Sequence, residues 1–163
     1  MRRLALTLGA LVVAAVLATG SAAAAAPTTV DLSFHRSVAA FAACPGFAVH
    51  GEFDVSWRTT TFVDASGQPV RLIRHVDATG VLSDPITGRS LPDASHFTMT
   101  ADLVTGERTF TGDLRVDTAP GIGVVFQVVG RIDFEPDGSV FEAGPHDDLD
   151  ANRAPLCTYL SGS

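Results

Sequence analysis

Residues 47 to 63 alternate between two kinds of side chain without a break. Every second position from Phe47 to Val63 is mainly apolar, and the positions between them are mainly polar or charged. Because successive side chains of a β-strand point to opposite faces, this period of two predicts a strand with one buried and one solvated face. At about 3.3 Å per residue the strand would extend roughly 56 Å, so we expect it to bend, with Gly51 as the place.

Turn sequences rich in glycine, proline and aspartate recur at short spacing along the chain. They separate further alternating segments, and short strands joined by tight turns are typical of an antiparallel meander. The candidate strands cover residues 30–35, 47–63, 70–83, 96–103, 108–117, 123–134, 139–144 and 155–160. The helix candidate, residues 36–44, is short. The sequence therefore predicts an all-β fold of about eight strands.

The apolar faces of neighbouring strands coincide when the strands are paired through their turns. Pairing Val63 with Val70 places Phe53 opposite Gly80, and large side chains opposite glycine predict a tightly curved sheet. A two-residue turn at residues 105–106 and the turn that follows β-strand 108–117 predict two further pairs, Phe97 with Leu114 and Phe110 with Gly130.

A sheet with one wholly apolar face leaves two open edges unless it closes on itself. We therefore expect a small antiparallel up-and-down β-barrel, with a β-sandwich as the alternative. Cys44 and Cys157 are the two cysteines of the chain, and we expect them to form one disulfide that secures the closing seam. A bridge across so long a loop is worth up to about 4.7 kcal/mol in the chain-entropy model.

The N-terminus has the pattern of a secretory signal peptide. Two arginines precede a short apolar run, and an alanine-rich stretch follows it. We expect residues 1–25 to be removed and residues 26–163 to form a single secreted, extracellular domain. No later stretch has the roughly 20 apolar residues that a membrane helix needs, so no membrane span is expected.

The charged residues of the chain exclude one class of partner and one class of catalysis. The formal net charge is −7, and removal of the signal peptide makes it more negative, so the surface repels nucleic acid. The chain contains no lysine, which excludes Schiff-base chemistry on a lysine amine. We expect no cofactor, and the sequence sets no oligomeric state.

The histidines and carboxylates at the polar positions of the alternating strands resemble an active site at first sight. His50, Glu52 and Asp54 share one strand face, but the expected pairing keeps His75 and His96 away from them. We therefore interpret these side chains as a solvated face. The acidic segment 148–152 matches only the first ligand positions of a calcium loop, so no metal site is expected.

Arg74 occupies one of the positions of its strand that alternation predicts to be apolar. The register turns it inward beside Trp57 and opposite Thr59, where a charge needs a carboxylate, water or a ligand as partner. We name Glu142 as a candidate partner, and an arginine that reaches solvent over the Trp57 ring as the alternative. The candidate ligand-binding residues of the inner wall are Phe53, Val55, Trp57, Thr59, Leu72, Arg74, Val76, Met99, Leu114 and Phe126.

A "CPGF" entry to the long strand, the turns "DPITGR" and "PGIGVV" and a closing "APLCTYL" complete the pattern. Together they resemble uncharacterised exported proteins of high-GC Gram-positive bacteria. In shape the expected domain is similar to lipocalin-like and allene-oxide-cyclase-like barrels. These shared features are turns and cysteines, so the resemblance implies no catalytic residues.

Three functional hypotheses remain open. The first is a secreted protein that binds a small apolar or amphipathic ligand inside the barrel, with Arg74 orienting any acidic group. The second is a cofactor-free isomerase or cyclase in the same cavity, with Arg74 stabilising negative charge and Glu142 moving a proton. The third is a cell-envelope or surface interaction module with a filled core and an exposed apolar patch.

Overall fold

A computed structural model describes residues 26–147 and 153–162 of the chain. The strands form one antiparallel sheet in which each strand pairs with the next along the chain. They are β1 (Thr28–Cys44), β2 (Phe47–Val63), β3 (Pro69–Ser83), β4 (Ser90–Asp102), β5 (Arg108–Ala119), β6 (Gly123–Phe134) and β7 (Val140–Ala143). A helix, α1 (Ala154–Ser161), follows. The predicted all-β up-and-down fold is confirmed. The predicted signal peptide and the acidic segment 148–152 lie outside the described residues.

Two elements differ from the sequence prediction. Residues 36–44, the helix candidate, continue β1, which pairs with β2 on both sides of an irregularity between Val38 and Ala42. Residues 155–160, predicted as an eighth strand, form α1 instead. Pro155 lies in the first turn of this helix, where its missing N–H is tolerated, and Gly162 ends it in the left-handed conformation (φ 76°). The described sheet therefore has seven strands.

From Phe62 back to His50, the pairing of β2 with β3 agrees with the prediction, including Phe53 opposite Gly80. The predicted pair of Val63 with Val70 is wrong, because an irregularity after Phe62 pairs Val63 with Pro69. The predicted partners of two other phenylalanines are wrong by two positions, and the observed pairs are Phe97 with Gly112 and Phe110 with Ile132. The turn between β4 and β5 is wider than predicted, since the Asp102 N–H donates to the Glu107 carbonyl (2.9 Å). β5 then carries register shifts against β6 that alternation alone does not show.

The described sheet does not close, because β1 and β7 each pair with a single neighbouring strand. It does curl, since the Phe41 ring of β1 lies 4.1 Å from the guanidinium carbon of Arg115 on β5. The helix α1 has eight residues, and no described helix has the length and apolar character needed to cross a membrane.

The core is concentrated at one end of the sheet, where α1 packs. Its largest fully buried side chains come from β2, β3, β4 and α1, and they are Val49, Leu82, Leu91, Leu156 and Leu160. The predicted disulfide is confirmed: Cys44 at the end of β1 bonds to Cys157 in α1, with a Cα–Cα distance of 5.5 Å. The disulfide therefore attaches the helix to the edge strand of the sheet instead of joining two strands.

Candidate functional site

A partly open pocket of about 460 Å³, which we call the interior cavity, lies between β1 and β5. It is on the face of the sheet that carries Phe53 and Val55, which we call the inner face. Its volume falls within the range of sites that hold small molecules. Most of its wall is apolar, and its residues are Arg36, Val38, Ala40, Phe41, Phe53, Val55, Ala78, Asp93, Ser95, Leu114 and Arg115.

Three charged residues form a buried ionic cluster beside this cavity: Asp93, Arg115 and Asp117. Their exposed fractions are 4%, 9% and 0%. Arg115 donates from Nε to Asp117 Oδ1 (3.1 Å) and from Nη2 to Asp117 Oδ2 (2.5 Å). Arg115 Nε also lies 3.0 Å from Asp93 Oδ1, but that oxygen accepts no aligned hydrogen bond from the described residues. One guanidinium therefore serves two carboxyl groups.

The cluster retains a proton at neutral pH. Burial and a hydrogen bond with Asp93 raise the pKa of Asp117 to about 8, and they outweigh the guanidinium of Arg115, which lowers it. A protonated Asp117 can donate a hydrogen bond to the carboxylate of Asp93. With one proton shared between two carboxyls, the positive charge of Arg115 is balanced and the cluster has no net charge.

Aromatic rings hold the guanidinium of Arg115 in place. Its guanidinium carbon lies 4.1 Å from the ring centroid of Phe41 and 4.8 Å from that of Phe126. Phe41 in turn packs against Phe53, with ring centroids 5.5 Å apart. These contacts connect the cluster to the apolar wall of the interior cavity.

The predicted ligand-binding residues divide into two groups along the inner face. Phe53, Val55 and Leu114 line the interior cavity, and Phe126 lies under Arg115. The others lie beyond the cavity, towards the opposite end of their strands, and are Trp57, Thr59, Leu72, Arg74, Val76 and Met99. The structure therefore places four of the ten at the interior cavity or its ionic cluster.

Arg74 lies beside Trp57 and opposite Thr59, the neighbours that the register predicts. Its Nε donates to Thr59 Oγ1 (2.9 Å), and its guanidinium carbon lies 4.6 Å from the Trp57 ring centroid. The expected pair with Glu142 does not form. Glu142 is exposed, and its carboxylate lies 3.9 Å from Nδ1 of His146.

The side chains at the polar positions form hydrogen-bonded clusters on the outer face, which is the side of the sheet opposite the inner face. His35 is held by both nitrogens, with Nε2 2.7 Å from Glu52 and Nδ1 2.9 Å from Asp54, and these bonds raise the pKa of His35. His50 contacts Ser37 (3.0 Å), while His75 and His96 have separate partners, Thr98 and Asp77. Among the described residues, no group of three or more His, Cys, Asp or Glu side chains is arranged to hold a metal ion.

A second, broader pocket of about 760 Å³ is lined by residues of β1 to β5 from both faces of the sheet. It shares Val55, Ala78 and Ser95 with the interior cavity. Its lining combines polar side chains with the apolar residues Phe34, Val55, Ala78, Ala94 and Val116. The interior cavity, with its apolar wall and buried charges, is the better candidate site.

Sequence reasoning missed four residues of this site: Arg36, Asp93, Arg115 and Asp117. The sequence does indicate an inward position for Asp93, because the alternation that runs from Phe97 back through Ser95 places Asp93 on the same face as Phe97. Arg115 and Asp117 follow a register shift on β5, where the period of two breaks. Arg36 falls in the segment that was assigned to a helix.

Comparison of the chain with family models, with curated proteins and with solved structures found no match in any of the three.

Proposed function

We propose that the protein binds a small amphipathic molecule in the interior cavity. The observation that carries this proposal is a cavity of about 460 Å³ with an apolar wall beside a buried, charge-balanced cluster. A buried ionic group is costly for folding unless its geometry is well satisfied, so its position at a cavity supports a role in recognition.

The apolar wall supports a ligand that is mainly hydrocarbon. Phe41, Phe53, Val55 and Leu114 contribute side chains that a ligand would cover, and removal of that surface from water drives binding. Two arginines on the inner face, Arg36 at the cavity and Arg74 beyond it, supply positive charge for an acidic group.

A cavity-filling substitution tests the proposal. Ala78→Phe should place a ring in the cavity and weaken binding of the neutral dye N-phenyl-1-naphthylamine at least tenfold, measured by fluorescence titration. Thr79→Phe is the matched control, because the next residue of β3 is exposed on the outer face and should leave binding unchanged. Equal affinities for the two variants, or no dye binding by the unmodified protein, would contradict the proposal.

Export is part of the same proposal. The disulfide between Cys44 and Cys157 is compatible with an oxidising, extracellular environment. Protein recovered from the culture medium of its host should begin between residues 23 and 27 by mass spectrometry. Retention of the full N-terminus inside the cell would contradict export.

A second candidate, a cofactor-free isomerase or cyclase, is favoured by the ionic cluster. Asp93 lines the cavity and can accept a proton, and the protonated Asp117 buried behind it can supply one through Asp93. This activity should exchange deuterium from heavy water into the carbon next to the carbonyl of 2-cyclohexenone, and Asp117→Asn should abolish the exchange. Equal exchange with and without protein would rule out this chemistry for that probe class.

A further inference from the structure

Arg36 is the positively charged side chain at the mouth of the interior cavity. It lies on the edge strand β1, is exposed, and lines the cavity. Within residues 26–147 and 153–162 it forms no ion pair, whereas Arg58, Arg115 and Arg131 each pair with aspartate. Arg71, Arg74, Arg89 and Arg108 likewise form no ion pair among the described residues, but of these five arginines Arg36 is the one that lines the interior cavity.

The inner face around Arg36 is apolar. Phe53 lies opposite it on β2, and Phe34 and Val38 are its neighbours two positions away on β1. The nearest carboxylates in the register, Glu52 and Asp54, lie on the outer face and bind His35. Among the described residues, the carboxylate that lines the same cavity is that of Asp93, and it is buried against Arg115 and does not pair with Arg36.

The inner end of the cavity disfavours a charged group. Arg115 already serves both Asp93 and Asp117, so a ligand anion would meet carboxyl oxygens and a ligand cation would meet the guanidinium. Transfer of an unpaired charge from water to an apolar site is costly. The charge of an amphipathic ligand therefore belongs at the mouth, and its apolar part belongs inside.

We propose, building on the proposed function, that the ligand is an amphiphilic carboxylate whose acid group binds Arg36 and whose apolar part contacts Phe41 and Phe53. Arginine suits this role because its planar fork of donors matches a carboxylate. Arg36 is thus a specificity-determining residue that selects ligands by charge.

Matched ten-carbon probes test the inference by displacement of N-phenyl-1-naphthylamine. Decanoate should displace the dye from the unmodified protein at about tenfold lower concentration than 1-decanol or decylammonium, the difference expected of one charge-assisted hydrogen bond. Arg36→Gln should remove this preference, and Arg36→Glu should reverse it in favour of decylammonium. Arg58→Gln, on the outer face, should change nothing.

Each remaining outcome has a distinct meaning. If the dye does not bind, the proposed function fails. If the dye binds and the three probes displace it equally, binding stands and the inference is overturned. If Arg74→Gln removes the preference for decanoate while Arg36→Gln does not, the anion site is at Arg74 and the inference is likewise overturned.

Discussion

Asp117 has no exposed surface, and its two charged neighbours act on it in opposite directions. Arg115 favours the carboxylate, whereas burial and the hydrogen bond with Asp93 favour the acid and prevail. The retained proton allows two carboxyl groups to share one guanidinium without a net buried charge. This residue should therefore influence stability through pH.

Replacement of Asp117 by asparagine should change how stability depends on pH. The folded protein keeps a proton on Asp117 up to about pH 8, whereas the unfolded chain releases it above about pH 4. This group therefore makes the free energy of unfolding fall as pH rises, by up to about 1.4 kcal/mol per pH unit between these values, and the slope ends near pH 8. Urea unfolding from pH 5 to 9 should show a smaller decline for Asp117→Asn. Parallel curves for the two proteins would contradict this expectation.

Single residues also show where sequence reasoning succeeds. Trp57, Thr59 and Arg74 are neighbours as predicted, because unbroken alternation on two strands joined by a short turn determines a register. The partner of Arg74 could not be predicted in the same way. Glu142 lies on β7 beyond two shifted pairings, so its position depends on irregularities that alternation does not reveal.

At the scale of elements, the ring of Phe53 packs directly against glycine positions of β2 and β3. A Cβ atom on Gly80 would lie 2.6 Å from the Glu52 carbonyl oxygen and would overlap the Phe53 ring. Gly51 is crowded by the same ring. Phe53 therefore occupies space that two glycines leave open.

Gly80→Ala should destabilise the protein by about 1–3 kcal/mol, because the added methyl group forces the strand or the ring to move. Chemical denaturation would measure the change. Phe53→Leu removes the ring, so Gly80→Ala should cost less in that background than in the unmodified protein. A cost below about 0.5 kcal/mol for the single substitution would show that the sheet accommodates the methyl group without strain.

The helix α1 depends on its attachment. An isolated helix of eight residues is marginal in water, but Leu156 and Leu160 are fully buried and Cys157 is bonded to Cys44. Replacement of both cysteines by serine should lower the free energy of unfolding by about 2–5 kcal/mol. Hydrogen exchange should accelerate more at the α1 amides than at those of β3. Unchanged protection of α1 would show that packing alone holds it.

The alternation that identified the strands also limited the prediction of the elements. It is regular on β2 and β3, whose bounds and pairing were predicted well. On β4 the polar residues Asp93 and Ser95 occupy apolar positions, so the start of the strand was placed too late. The segment that forms α1 is too short to show a helical period, so the sequence predicts a strand there instead of a helix.

At the scale of the whole molecule, one end of the sheet has a packed core and the other end exposes apolar side chains. Buried leucines and α1 fill one end, whereas apolar side chains of β1 on the inner face remain exposed at the other, among them Val30 (62%) and Leu32 (46%). A single sheet thus combines a fixed base with an accessible apolar surface, and the interior cavity lies between them. For the ligand that we propose, this exposed apolar surface offers a route into the cavity past β1.

The bond between Cys44 and Cys157 also makes the chain between them a covalent ring. The strands β2 to β7 all lie within this ring, and most of β1 forms a tail outside it. Cleavage of any one turn in the ring, such as the exposed stretch 85–89 between β3 and β4, leaves a single covalently connected molecule. A protease in the surroundings could therefore cut this sheet once without releasing a fragment, and only reduction would separate the pieces.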